Sequence, residues 1–313
     1  MKLALLIGAT GGFGGHTAAA LLAAGWQVRA LMREPGKSPA WLQGIEPVAG
    51  DASSIGDVRR AAEGVDVIVY GANVPYPRWA KEALPLLEPT ATVAEENKLT
   101  LVFPGNVYGF DPTDGPEFDE AAPMHPISRK GTIRQRMEQR LETASGRGAQ
   151  IILLRAGDFI GAHCRSNWIN VLLKPTRHGF RLLYPGPVEL EHTWAYLPDV
   201  ERTIVDLLAH RESLPAWAPF HFAGYRASFA QLAEAASTAS GKPVELRPFA
   251  WWQMRLLSPF VPLVRELREM RYLWQHKVNL DEERLRTALR GQVPHTPLPD
   301  ALHAAGLLGG QNV

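Results

Sequence analysis

Cysteine is nearly absent. Cys164 is the only one in the chain, which excludes an internal disulfide framework and any zinc site built on several thiolates. Net charge is nearly absent too: 33 Lys and Arg stand against 32 Asp and Glu. Bulk positive charge therefore cannot drive nucleic-acid binding, and no nucleic-acid partner is expected. No apolar run reaches the ~18 residues of a membrane span, so no membrane partner is expected either. The ten histidines never fall at His-x-x-x-His or His-Glu-x-x-His spacing, and no catalytic metal is expected. There is no Gly-x-Ser-x-Gly elbow of an α/β-hydrolase. The basic, apolar start from Met1 to Ile7 breaks at once into glycine with no cleavage site behind it. It reads as a buried first strand, and a cytoplasmic chain is the expectation.

What is present is an alternation of short apolar runs and helical stretches. Leu3–Ile7 has the look of a central parallel strand buried on both faces. An Ala/Leu-rich helix from His16 to Ala24 ends at Gly25. Strand character returns at Trp26–Met32, at Val48, at Val65–Tyr70, at Leu99–Phe103 and at Gln150–Leu154. Helices are expected over 54–63, with Ser53 or Ser54 as cap, and over 131–145. The helical stretch between Tyr70 and Leu99 should be bent or split by Pro85 and Pro89. Alternation of this kind makes right-handed βαβ units, hence a Rossmann-type α/β fold: a doubly wound parallel sheet with a smaller C-terminal α+β lobe. The expected division is a dinucleotide-binding domain over 1–164, with elements around 188–210 added to it, and a substrate lobe over 165–313.

The turn after the first strand carries the strongest chemical signal. Gly8-Ala9-Thr10-Gly11-Gly12-Phe13-Gly14 puts glycines at 8, 11 and 14 between a strand and a helix. Glycine permits the tight turn and lets backbone N–H groups approach a pyrophosphate at the positive end of the helix. At the end of the second strand, where an acid would select NAD by holding the ribose hydroxyl, stands Arg33, nineteen positions past Gly14. A guanidinium there pairs with a 2′-phosphate, so NADP is the expected cofactor. Glu34 keeps NAD as the alternative.

These segments resemble the short-chain dehydrogenase/reductase superfamily, in its extended epimerase/dehydratase branch and the related atypical reductases. The resemblance runs over nearly the whole chain. Gly8-Ala-Thr-Gly11-x-x-Gly14 looks like the family's glycine motif, with Thr10, Gly12 and Phe13 in the same turn. Gly50-Asp51-Ala52 looks like its adenine-contacting turn, and Gly71-Ala72-Asn73 falls where the family passes the nicotinamide ribose. Asn106-Val107-Tyr108-Gly109 looks like the loop after the fifth strand. Leu154–Gly161 and Trp194–Val200 resemble the segments that begin the substrate region.

The family's chemistry uses a Ser or Thr four positions before that loop's tyrosine, and a Tyr-x-x-x-Lys pair in which the lysine binds the ribose and acidifies the tyrosine. Here Pro104 occupies the first position. Lys130 fits the lysine, and Pro126 stands four before it. The expected function is hydride transfer between NADP(H) and a small carbonyl or enone without the usual Ser/Tyr pair. Lys130 is the leading acid, with a pKa lowered by an apolar wall or a neighbouring cation, or else a ribose ligand. Tyr108, His125 and Ser128 are weaker candidates, and Asn106 is a donor to a substrate carbonyl. The alternatives are a nucleotide-sugar-type epimerase or dehydratase, and a non-catalytic NADP(H)-sensing module.

The C-terminal half should supply substrate specificity. Strands are expected at Phe180–Tyr184, Val188–Trp194 and Val244–Arg247. Helices are expected over 198–210, from the capping box Ser228-x-x-Gln231, and from Asp281 to Arg290. Phe159, Trp168, Trp194 and Tyr225 are candidate pocket walls. Residues 251–276 combine aromatic and basic residues, but Pro259 and Pro262 break the apolar stripe and Glu266 and Glu269 dilute its charge. They read as a lid or a subunit contact, and a homodimer is the expected assembly if there is one.

Overall fold

The computed structural model describes residues 2–164 and 167–308. The first half runs β1 (Leu3–Ile7), α1 (Gly12–Ala23), β2 (Gln27–Met32), β3 (Glu46–Ala49), α2 (Ile55–Ala61) and β4 (Val67–Tyr70). It continues through α3 (Trp79–Asn97), β5 (Thr100–Asn106), β6 (Glu117–Phe118), α4 (Arg129–Gly146) and β7 (Gln150–Ala156). The second half holds β8 (Asp158–Ile160), α5 (Trp168–Leu172), β9 (Leu173–Pro175), β10 (Phe180–Tyr184), β11 (His192–Tyr196), α6 (Leu197–Ala209) and β12 (Trp217–Phe222). β13 (Tyr225–Ala227), α7 (Phe229–Ser240), β14 (Val244–Pro248), α8 (Trp251–Leu257), α9 (Pro262–Glu269), β15 (Asn279–Leu280), α10 (Glu283–Ala288) and α11 (Leu298–Ala304) follow.

A seven-stranded sheet in the order β12-β7-β5-β4-β1-β2-β3 forms the centre. Its pairs are all parallel, and β4 registers on β1 with Tyr70 opposite Ile7. The expected doubly wound Rossmann-type fold is therefore the fold observed. Strand order reverses between β1 and β4, which is where open parallel sheets place their ligands. Residues 4–7 and 67–70 are buried on both faces, as the unbroken apolar runs require.

Several elements differ from expectation. α3 is one uninterrupted 19-residue helix containing both Pro85 and Pro89. Each proline removes a helix hydrogen bond, but Leu87, Ala91 and Ala94 are fully buried in the face packed on α4 and α2, and that burial holds the helix together. β11 begins at His192, and residues 188–189 form a turn instead. β12 lies beyond the expected boundary yet completes the central sheet, pairing with β7 from Trp217 to Phe222. That boundary, after residue 164, abuts residues 165 and 166, which are outside the described residues. Asp281 caps α10 from one residue further out, its Oδ1 accepting from the Glu283 N–H at 2.8 Å.

Candidate dinucleotide turn and catalytic cleft

The β1–α1 turn is shaped by backbone crowding. Gly8 has φ +90° and would place a Cβ 2.5 Å from the Ala72 nitrogen. A Cβ on Gly14 would overlap the Gly8 carbonyl oxygen, and one on Gly71 would come within 2.9 Å of the Gly14 Cα. Three backbones meet here, and only hydrogens fit between them. Gly11 differs: a Cβ there meets nothing nearer than 3.4 Å. The protein itself would tolerate a side chain at 11, and the glycine leaves that side of the turn open to approach from outside. Gly11 caps α1 without a side-chain bond, and the first turn of α1 holds no acid. An uncapped positive helix end beside an exposed Thr10 fits a diphosphate.

The adenosine end lies at the tips of β2 and β3. Arg33 is exposed and makes no hydrogen bond or ion pair among the described residues, whereas Glu34 is engaged by Lys37 at 2.7 Å. In the Gly50-Asp51-Ala52 turn, Asp51 accepts from the Ser53 N–H and hydroxyl, both at 2.8 Å. Those bonds hold its carboxyl below the usual range. One feature of the cradle was not legible in the sequence. Cys164 packs its sulfur against Gly12, and burial pushes its thiol up to about 11.

The turn opens into a cleft of about 210 Å³. Phe13, Gly71–Asn73, Pro104–Tyr108, Asp158, Phe159 and Trp168 are among its lining residues. Asn106 uses its Oδ1 to accept the Tyr108 N–H at 3.0 Å, which leaves its NH₂ as a donor. Phe159 and Trp168 are pocket walls as expected. Trp194 and Tyr225 are not: Trp194 is fully buried core, and the Tyr225 hydroxyl donates to the Thr296 carbonyl at 2.5 Å.

Two tyrosines meet in the cleft. Tyr76, from the turn before α3, and Tyr108, from the loop after β5, bring their hydroxyls to 2.9 Å. Burial pushes Tyr76 up to about 12 and Tyr108 well above its ordinary value, and the Arg134 guanidinium opposes both rises. Arg134 projects from α4 into the cleft, its charge 5.1 Å from the Trp79 ring and 5.3 Å from the Phe103 ring. Its Nη1 donates to the Pro104 carbonyl at 3.1 Å, and its buried Nε has no partner among the described residues. Asp158 accepts from His192 Nε2 at 2.7 Å, and that imidazole stacks on Trp274 at 4.1 Å.

Lys130, the leading acid expected from the sequence, stands beside Tyr76, its Nζ 5.2 Å from the centroid of that ring. Its side chain is 1% exposed, and its Nζ lies 2.5 Å from both Glu266 Oε2 and Glu269 Oε2 on α9. It does not line the cleft. Burial works to raise the Glu266 carboxyl, but Lys130 and Arg129 outweigh it and hold that carboxyl below its ordinary value. Ser128 caps α4, accepting from the Gly131 N–H at 3.0 Å, and His125 pairs with Asp114 on the surface. Arg134 and Tyr76 are the groups that sequence reasoning missed. For Arg134 a signal existed, because Lys130-x-x-x-Arg134 repeats the spacing of the family pair one helical turn later. For Tyr76 there was none.

Comparison with known proteins bears on the first segment and on the fold. Residues 8–100 match a family model described as NAD(P)H-binding, and the segment is an NAD(P)-binding domain. The uncharacterized protein y4nL of Sinorhizobium fredii is 30% identical over 182 residues, 51% of this chain and 51% of that protein. The chain thus spans about half the length of that relative. Among solved structures, a putative epimerase from Burkholderia cenocepacia is similar at TM-score 0.77 and 17% identity, covering 97% of this chain and 96% of that one. WbmH of Bordetella bronchiseptica, in complex with NAD+, is similar at 0.70 and 17%, covering 97% of each chain. UDP-glucose 4-epimerase from Bifidobacterium longum, in complex with NAD+ and UDP, is similar at 0.72 and 14%, covering 98% and 97%. These likenesses show the fold, a Rossmann-type α/β architecture shared with the three solved structures.

Proposed function

We propose that the protein is an NADP(H)-dependent oxidoreductase acting on a small carbonyl or enone, with Tyr76 as the proton donor. The observation that carries this reading is the 2.9 Å Tyr76–Tyr108 hydroxyl pair beside Arg134 in the cleft. A bound nicotinamide dinucleotide supplies the hydride. Gly8, Thr10, Gly11, Gly12 and Gly14 would hold its diphosphate, and Phe13 and Gly71–Asn73 would flank its nicotinamide ribose. Asp51 and Ala52 would meet the adenine, and Arg33 the 2′-phosphate.

The chain's own work is to orient the substrate and deliver a proton. Asn106 directs its NH₂ at the substrate oxygen. The Tyr76 O–H bond breaks as a proton passes to that oxygen, and the Tyr108 hydroxyl donates to the phenolate left behind. A hydrogen bond from Tyr108 favours the ionised form of Tyr76. Arg134 faces the developing negative charge without a proton exchange of its own.

NADPH consumption against a panel of ketones, aldehydes and enones tests the reading. Turnover is expected, and Tyr76→Phe should lower kcat about 10²–10⁴-fold with NADPH affinity kept. A native protein that binds NADPH tightly yet never consumes it would instead be a cofactor sensor. Interconversion of sugar nucleotides without net cofactor consumption would place it with the epimerases.

A further inference from the structure

The α8–α9 hairpin is an amphipathic element turned inside out. Helices on a protein surface ordinarily bury their apolar stripe and expose their charges. Here α8 buries no residue, and the one buried residue of α9 is a glutamate, Glu266. The exposed side carries Trp252, Leu256, Leu257, Phe260, Val261 and Leu263, with Phe260 83% and both Trp252 and Leu256 65% exposed. A contiguous apolar surface of this kind marks an interaction site.

Its charge says what covers it. From Leu246 to Arg265 the chain has no Asp or Glu. The two acids of α9 are both drawn toward Lys130 and Arg129, and Glu266 also meets Arg265 at 3.6 Å. Their charge is thus largely answered by Lys130 and Arg129, which the linear sequence does not show. Arg255, Arg265, Arg268 and Arg271 are exposed around the apolar residues. A symmetric contact between two copies through this patch would set arginines against arginines, with only Glu266, already paired with Lys130 and Arg129, beside one of them. A surface that is apolar just below and negatively charged at its rim fits both features.

We propose that the α8–α9 hairpin docks the protein onto an anionic lipid bilayer, its apolar residues entering the interface and its arginines meeting the headgroups. No helix among the described residues is long and apolar enough to cross a membrane, so the element lies in the interface rather than spanning. α9 packs on the turn that carries Tyr76, which sets the docked face beside the cleft. The proposal stands apart from the enzymatic reading and does not depend on it.

Flotation of the full chain with vesicles tests it. Binding to vesicles of phosphatidylcholine with one-quarter phosphatidylglycerol is expected to exceed binding to pure phosphatidylcholine at least tenfold, and to fall in 0.5 M salt. The double variant Trp252→Ser/Phe260→Ser should lose at least tenfold of that binding while keeping its Tm, since both side chains face solvent. Failure to float with either vesicle overturns the proposal, as does binding that the double variant retains. A concentration-dependent dimer in light scattering that this variant abolishes also overturns it, because a second copy would then be the occupant.

Discussion

The dinucleotide turn and the corner between β5 and α4 lie next to each other yet are built on opposite principles. At the turn, Gly8, Gly14 and Gly71 touch one another's backbone, so the local sequence decides the shape and allows almost no substitution. At the corner, the cleft is assembled from distant pieces. Tyr76 and Tyr108 come from different loops, and Lys130 is claimed by two glutamates more than 130 residues away. A site of the first kind is recognisable from a dozen residues. A site of the second kind can keep its chemistry while every expected residue changes.

The largest effect should come from breaking the turn. Gly14→Val forces a branched side chain into the Gly8 carbonyl. NADPH affinity is expected to fall at least 100-fold by fluorescence titration, with a lowered Tm because the clash is with backbone. Gly11→Ala sharpens the comparison: the protein has room for that methyl, so the Tm should hold while affinity still falls. Equal losses of Tm in the two variants would mean that Gly11, too, serves packing alone.

At the corner, Arg134→Met removes a cation that opposes the rise of both cleft tyrosines. A phenolate left by proton donation then loses its stabilising charge, and kcat should drop about 10²–10³-fold, as for other groups that stabilise charge developing in the reaction. The pH at which ionisation of the free phenol ends activity should move upward. A kcat loss with that limb unmoved would reduce Arg134 to a packing residue.

Lys130→Met separates structure from chemistry. Leaving a buried charge wholly uncompensated costs about 3–5 kcal/mol, and because Arg129 still meets both glutamates the loss here should fall below that. Urea unfolding should show that loss, and adding Glu266→Gln and Glu269→Gln to Lys130→Met should recover part of it. NADPH affinity should change little, since Lys130 does not line the cleft. A tenfold weaker affinity in a folded variant would restore Lys130 as a ribose ligand.

This contrast explains what could be read in advance. Strands such as Leu3–Ile7 and Val67–Tyr70, and the turn between strand and helix, are signalled by adjacent residues, and those signals predicted the sheet. The capping box at Ser228 and Gln231 was equally local. α3 was misjudged because the cost of Pro85 and Pro89 is local, while the burial that offsets it comes from α2 and α4. The pairing of Glu266 and Glu269 with Lys130 and Arg129 was invisible for the same reason: a linear charge count cannot show which charges the fold brings together.

The smallest effect expected lies beneath the dinucleotide turn, on α6. Burial pushes the Glu201 carboxyl up to about 10, with Arg202 opposing the rise and Asp199 adding to it. Its Oε1 has no partner among the described residues, and its Oε2 is 3.6 Å from His16 Nδ1. Burial lowers the His16 pKa, so that imidazole is neutral at pH 8 and offers no charge in return. The folded chain therefore keeps the Glu201 proton through a range in which the unfolded chain has lost it, from about pH 4.3 upward. The folded state binds more protons there, so this residue's contribution to stability falls as pH rises toward 10. Glu201→Gln abolishes that loss. Its Tm should exceed the parent's by several degrees at pH 8, with the gap closing toward pH 4.5 in calorimetric scans. A lower Tm for the variant between pH 6 and 7 would mean instead that Glu201 is ionised and paired with a charged His16.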